Sequence, residues 1–206
     1  MSADQLRSTY NTIAADYHKE HITDAWNNDY IVLFCSLLPA GAHVLDLGCG
    51  PGTDTSTLVN AGFKLDGFDL SDELLAIART KNPSVAFTQG DMRKLPYTPG
   101  MFDGVFAKAS LLHIPKKELP AVLQEIWRVL KPGGIVQISV KKGEGESELT
   151  EDDYGYSYTR FFAYWTSEEM RSALNLAGFS VEHGTETPIP GKKTVWIKLV
   201  ARKKAG

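Results

Sequence analysis

The chain has 206 residues, 43% of them apolar, enough to fill one core of ordinary domain size and to exclude a disordered or fibrous protein. Twenty-two Lys plus Arg against 25 Asp plus Glu leave a formal charge of −3, so there is no general attraction for phosphate backbones or anionic lipid, and a nucleic-acid substrate is disfavoured. The longest apolar stretch, residues 31–38, falls far short of the ~20 residues that cross a bilayer, and nothing in the first twenty residues reads as a secretory signal.

The expectation is therefore a soluble, cytoplasmic protein with no membrane partner. Cys35 and Cys49 show no metal-ligand spacing, so reduced structural thiols and no metal site are expected. Residues 1–39 read as a helical N-terminal extension. From about residue 40 the chain alternates short β-branched runs with helical periodicity, the pattern of a parallel sheet covered by helices on both faces. The first run, residues 43–47, ends in the glycine cluster of residues 48–52, and a helix is expected to follow with Thr53 or Asp54 as its N-cap. Residues 64–68 form the second predicted strand, and Ser71 caps a helix carrying Leu74, Leu75, Ile77 and Ala78. Residues 85–87 and 102–107 are the third and fourth strands. After Pro115, the spacing of Leu119, Val122, Leu123, Ile126 and Leu130 gives a helix with one apolar stripe. Lys131-Pro132-Gly133-Gly134 then turns into a fifth strand at residues 135–140, apolar enough to be buried on both faces.

Residues 143–153 carry six acidic side chains and hardly any apolar ones, which predicts an exposed loop. An aromatic cluster follows between Tyr154 and Trp165. Thr166-Ser167-Glu168-Glu169 carries a capping signal for a helix ended by Gly178, and alternating strands at 179–187 and 194–202 close the chain. The economical reading is a single domain over residues 1–206.

A strand ending in a glycine-rich turn before a helix lets the backbone approach a ligand and points free N–H groups at it. The dinucleotide fingerprint wants a third glycine where this chain has Thr53, so Gly48-x-Gly50-x-x-Thr53 fits nicotinamide or flavin binding imperfectly. Asp69 follows Gly50 by 69 − 50 = 19 residues, at the end of the second strand, where a carboxylate can take both hydroxyls of a ribose. The bland alternative is that Asp69 caps the next helix together with Ser71.

The run Val44-Leu45-Asp46-Leu47-Gly48-Cys49-Gly50-Pro51-Gly52 closely resembles the first motif of class I S-adenosylmethionine-dependent methyltransferases. Gly67-Phe68-Asp69-Leu70-Ser71 is similar to that family's ribose-binding segment, Gly90-Asp91-Met92 to its adenine-binding segment, and Leu130-Lys131-Pro132-Gly133-Gly134 to the turn into its fifth strand. The N-terminal Tyr10 to Tyr17 stretch resembles, over a shorter span, the Tyr-x-x-x-Ala-x-x-Tyr segment that covers the cofactor in small-molecule members. The resemblance implies a Rossmann-like, doubly wound α/β fold with seven mostly parallel strands, an antiparallel C-terminal strand and an N-terminal helical cap. It implies S-adenosyl-L-methionine as cofactor and an enzyme that methylates a small molecule.

It also implies residue roles. Asp46 would face the cofactor ammonium directly or through water, and Gly48 and Gly50 would leave it room. Asp91 would accept from the adenine amino group, or merely cap a turn. Met92 and Leu70 would sandwich the ring, and Ala107 would offer main-chain contacts beside the sulfonium. Tyr10 and Tyr17 would bond the cofactor carboxylate, or only pin the N-terminal helix by packing.

Methyl transfer from a sulfonium is an in-line displacement with the reacting atoms ~3–3.5 Å apart, so the protein mainly positions, excludes water and, for a protonated acceptor, removes a proton. His113, in the segment after the fourth strand, is the candidate base, or else shapes the pocket. Residues 143–165 leave the carboxyl end of the fifth strand and are expected to overhang the crevice as an acceptor lid. Their acidic rim and aromatic interior suit a small amphipathic or cationic molecule better than a polyanion. The lysines near the C-terminus read as a solvated edge. Two alternatives keep the fold but change the function: a non-catalytic adenosylmethionine-binding protein, and an RNA methyltransferase.

Overall fold

Strand β1 (His43–Leu47) is almost wholly buried because both of its faces are covered, and its side chains alternate between two cores. Val44 packs with Phe34, Leu58 and Phe106 on one side of the sheet, while Leu45 and Leu47 join Val122, Ile126 and Ile138 on the other. A computed structural model describes residues 1–22 and 28–204. Residues 23–27 of the expected N-terminal cap lie outside the described residues. In chain order the elements are α1 (Ala3–His21), α2 (Asn28–Ser36), β1, α3 (Thr53–Asn60), β2 (Lys64–Asp69), α4 (Asp72–Lys81), β3 (Ala86–Gln89) and β4 (Phe102–Lys108). There follow α5 (Leu119–Val129), β5 (Leu130–Lys141), β6 (Glu146–Glu151), β7 (Tyr158–Ala163), α6 (Ser167–Leu176), β8 (Phe179–Pro188) and β9 (Val195–Lys203).

Seven strands form one sheet in the order β3-β2-β1-β4-β5-β9-β8, parallel except that β9 runs against both of its neighbours. This is the Rossmann-like α/β arrangement expected, with the antiparallel strand near the C-terminus. The order reverses between β1 and β4, and such a switch point opens a crevice beyond the carboxyl ends of the strands. Helix α1 lies across that crevice. Asn11 Oδ1 accepts from Ser71 Oγ (2.7 Å), and Thr9 Oγ1 donates to the Thr159 carbonyl (2.9 Å), so α1 is tied to α4 and to β7 at once. Among the described residues no helix is long and apolar enough to cross a membrane.

Ser71 and Thr166 cap α4 and α6 as expected, Thr166 in a reciprocal capping box with Glu169. The N-cap of α3 is a correction: it is Gly52, at φ 74°, with Thr53 and Asp54 inside the first turn. Only a residue without Cβ fits there, since an added Cβ would lie 2.8 Å from Asn82 Nδ2. A second correction concerns residues 143–153. Much of this acidic segment is β6, paired antiparallel with β7 from Glu146↔Ala163 to Glu151↔Tyr158. A strand supported on one edge and exposed on its faces needs no apolar alternation, so its sequence carries no strand signal.

Candidate functional site

The turn after β1 carries three left-handed glycines, Gly48 (φ 75°), Gly50 (φ 52°) and Gly52. A Cβ on Gly48 would stand 2.2 Å from Ser110 Cβ, so the loop and the segment after β4 touch backbone to side chain. Around Gly50 nothing lies within 4 Å of the added atom. Gly48 and Cys49 N–H both donate to the Phe68 carbonyl (2.7 and 3.1 Å), Gly50 N–H donates to Asp69 Oδ2 (2.8 Å) and Gly52 N–H to the Cys49 carbonyl (3.0 Å). The expectation of free N–H groups is thus corrected: the turn offers space, and its donors are consumed in tying β1 to β2.

Two cavities meet at this turn. The first, about 370 Å³, lies between α1, the glycine turn and the ends of β2, β3 and β4, with Phe68, Leu74 and Ile114 among its apolar walls. The second, about 500 Å³, extends from the same turn toward β5, β7 and β9. Both volumes fall within roughly 300–1,000 Å³, the usual span of small-molecule sites. Tyr10, Tyr17, Gly48, Gly50, Ala109 and His113 line both, so they form the junction. Asp69, Leu70, Asp91 and Met92 line the first.

Two expected residues do not reach either cavity. Asp46 sits behind the glycine turn, 3% exposed, accepting from Thr55 Oγ1. Ala107 is fully buried, because β4 runs on one residue further, to Lys108, before its chain turns into the crevice; Ala109, at φ 53°, takes the wall position.

Asp69 accepts from Gly50 N–H on one oxygen and from Ser71 N–H (2.9 Å) on the other, so each oxygen keeps a lone pair for a further donor. Asp69 therefore takes the helix-entry position beside Ser71 and at the same time lines the first cavity. Burial raises its pKa, and the backbone donors oppose that rise. Asp46 is pushed up to about 7, first by burial and then by the neighbouring charge of Asp54. Asp91 is gripped by Arg93, whose Nε lies 2.9 Å from Oδ1; burial works against ionisation, but these bonds hold the carboxyl below its ordinary range. Ser110 Oγ, on the wall of the first cavity, is buried with no hydrogen-bond partner among the described residues.

His113 Nδ1 lies 2.7 Å from the Phe161 carbonyl, and its Nε2 lies 2.7 Å from the Tyr10 hydroxyl. A carbonyl only accepts, so Nδ1 carries the hydrogen and Nε2 accepts from Tyr10. Burial lowers the imidazole pKa to about 3, and burial raises that of Tyr10 to about 12. A group with so low a pKa is mismatched to proton abstraction near neutral pH, which departs from the base expected at this position. Tyr10 spends its hydroxyl on His113, and Tyr17 packs edge-on to Tyr10 and stacks on His21.

Two residues, Arg160 and Lys141, escaped the sequence reading. Arg160 and Phe162 of β7 line the second cavity, while Phe161 between them lines the first, so the period-2 alternation of one strand divides its side chains between the cavities. Arg160 is paired in a fork with Glu151 (Nε–Oε2 and Nη2–Oε1, both 2.6 Å). Lys141, the last residue of β5, lines the second cavity with its Nζ 3.8 Å from the centre of the Phe162 ring. The signal available was the alternation Tyr158-Arg160-Phe162 and a lysine placed directly after a buried run.

Residues 44–134 match the family described as the methyltransferase domain. A demethylmenaquinone methyltransferase of Lactococcus lactis subsp. lactis (strain IL1403) is 33% identical over 150 residues, 66% of this chain and 58% of that protein. The chain spans about half the length of the curated relatives it matches. Among solved structures, the 1,6-didemethyltoxoflavin-N1-methyltransferase of Burkholderia thailandensis, determined with bound 1,6-didemethyltoxoflavin and S-adenosylhomocysteine, superposes with a TM-score of 0.80 at 24% identity. The overlap covers 98% of this chain and 88% of that one, a likeness of fold.

Proposed function

Through residues 44–134 the chain belongs to the methyltransferase domain family, and from that premise we propose that it transfers a methyl group from S-adenosyl-L-methionine to a small-molecule acceptor. The observation that carries this reading is the character of the glycine turn. Its N–H groups are spent internally, and Asp46, Asp54 and Asp69 gather around it closely enough that the latter two raise the pKa of the first. A pyrophosphate needs free donors and meets like charge here; a cationic ligand without phosphates needs neither concession. Lys108 offsets Asp54 at 3.0 Å, but Asp69, which lines the first cavity and accepts from backbone N–H groups, keeps that wall acidic.

Bound in the first cavity, adenosylmethionine supplies a methyl already activated by its sulfonium, so no metal or covalent nucleophile is required. The chain's residues fit it on three counts. Asp69 has a free lone pair on each oxygen for two ribose hydroxyls, Gly50 leaves open space beside the turn, and the unpaired Ser110 hydroxyl awaits a polar partner. Leu70 and Met92 line the ring position, and Asp91 accepts the adenine amino group once shared with Arg93. Tyr10, held by His113, closes the junction and excludes water. His113 acts as the fixed acceptor that orients Tyr10. Residues 143–165, built as the β6–β7 hairpin, form the wall on the acceptor side, and α1 serves as the cover of a single working unit.

Calorimetric titration with adenosylhomocysteine and with NAD tests the cofactor, and turnover of labelled adenosylmethionine over an acceptor panel tests the reaction. Tight binding of adenosylhomocysteine without NAD binding, followed by methyl transfer, is expected; preference for NAD sinks the reading.

A further inference from the structure

The acidic segment of residues 144–153 suggests a cavity hospitable to cations, yet three of its six carboxylates are taken by other partners. Glu148 pairs with the N-terminal ammonium, and Glu146 accepts from Lys116 N–H, and neither lines the second cavity. Only Glu151 and Asp153 of that segment line the second cavity, and Glu151 is taken by Arg160. Inside the cavity Lys108 is likewise matched by Asp54. Lys141 is the exception. Its ammonium makes no hydrogen bond to a protein acceptor among the described residues and rests on the face of Phe162, beside the positive charge of Arg160.

The rim charges, Glu20 and Asp153 against Lys192, are exposed and cancel to within one unit, so they do not change the sign of the interior. The interior therefore holds two neutralised pairs and one cation, Lys141, which burial and then Arg160 push down to a pKa of about 8, with Glu151 opposing the shift and Lys192 adding to it. A desolvated ammonium next to a guanidinium is a vacancy for negative charge.

We propose that the second cavity takes a methyl acceptor bearing an anionic group, which docks on Lys141 Nζ while its apolar body lies against Phe162 and Trp196. The inference rests on the methyl-transfer reading and names the class of acceptor for it. It keeps the amphipathic acceptor expected from the acidic rim and aromatic interior but reverses the sign of its charge, because only Glu151 and Asp153 of that segment line the second cavity.

The test uses the protein saturated with adenosylhomocysteine. Benzoate, phenylacetate and cinnamate are titrated in parallel with their amides and with benzylamine, on the wild type, Lys141→Met and Lys141→Arg. At least one carboxylate is expected to bind about tenfold or more tightly than its amide. Lys141→Met should erase that preference and Lys141→Arg retain it, with adenosylhomocysteine affinity the same in all three, since Lys141 does not line the first cavity. No carboxylate binding, equal binding of acid and amide, preference for the amine, or a preference surviving in Lys141→Met overturns the inference. Failure of the wild type to bind adenosylhomocysteine is a separate result, and it counts against the methyl-transfer reading instead.

Discussion

The hydroxyl of Tyr10 on α1 donates to Nε2 of His113 across 103 positions of sequence, at 2.7 Å. Nδ1 on the opposite side of the same ring reaches the Phe161 carbonyl of β7. One neutral imidazole thus joins the N-terminal helix, the segment after β4 and the hairpin, the three walls of the junction between the cavities. Its neutrality is a condition of the arrangement, because a proton on Nε2 removes the acceptor that Tyr10 uses.

The pH dependence of stability follows from that condition. The folded pKa of His113 is about 3 against 6.5 for the free side chain, so as pH falls below 6.5 the unfolded chain binds a proton that the folded one refuses. Stability from this group is fully present above 6.5 and drains away on acidification, by about 2 kcal/mol between pH 6.5 and 5. Chemical denaturation at the two pH values should show that loss in the wild type and a smaller one in His113→Gln, which keeps a donor and an acceptor without titrating. The pH–rate profile should carry no inflection near 6.5 from this residue; an inflection abolished by His113→Gln would restore it as a base.

Asp69 is expected to dominate cofactor affinity, since its two oxygens are held by Gly50 and Ser71 N–H in one fixed orientation toward the first cavity. Asp69→Ala should weaken adenosylhomocysteine binding by about 1.5–3 kcal/mol, the scale of a hydrogen bond to a charged group. Calorimetry on variant protein shown by circular dichroism to be folded decides the matter, and an unchanged Kd removes the ribose assignment.

How far the sequence speaks depends on whether a residue's role is local. β1, β2, β4 and β5 are legible because buried strands must be apolar, and the caps at Ser71 and Thr166 because their partners lie three residues on. The glycines at 48 and 50 announce a close approach, but the consumption of their N–H groups by Phe68 and Asp69 depends on how β1 and β2 pair. β6 was illegible for lack of an apolar face. Ala107 and Ala109 differ only by where β4 ends, a boundary that propensity locates to within a few residues at best. Lys141 and Arg160 meet through a strand end and a hairpin nineteen residues apart, a juxtaposition that no local pattern encodes.

The two glycines of the turn should fail in different ways. Gly48→Ala places a Cβ 2.2 Å from Ser110 Cβ, beside backbone that cannot yield cheaply, so the turn itself is displaced and thermal stability falls with cofactor binding. Gly50→Ala meets no atom within 4 Å and carries only left-handed strain of roughly 1–2 kcal/mol, so the fold survives while the methyl group protrudes where the two cavities meet. Melting curves and adenosylhomocysteine titrations on both variants should separate them. Equal melting temperatures would show that the contact with Ser110 is unimportant.

Asp46 gives a pH effect of the opposite sign. Its folded pKa of about 7 stands above the free value of 3.8, with burial the main cause and Asp54 the next, so the folded protein keeps a proton that the unfolded chain has already released. The stabilisation from that retained proton is complete below pH 3.8 and is lost as pH climbs to about 7, by at most about 4 kcal/mol. Asp46→Asn cannot ionise, and its amide oxygen still accepts from Thr55 Oγ1. The variant should therefore match the wild type at pH 4 and exceed it at pH 8 by several degrees in Tm. A wild-type advantage at pH 8 would mean that the charged carboxylate is compensated in the folded protein, and that Asp46 already stands as an anion behind the glycine turn before any cation arrives.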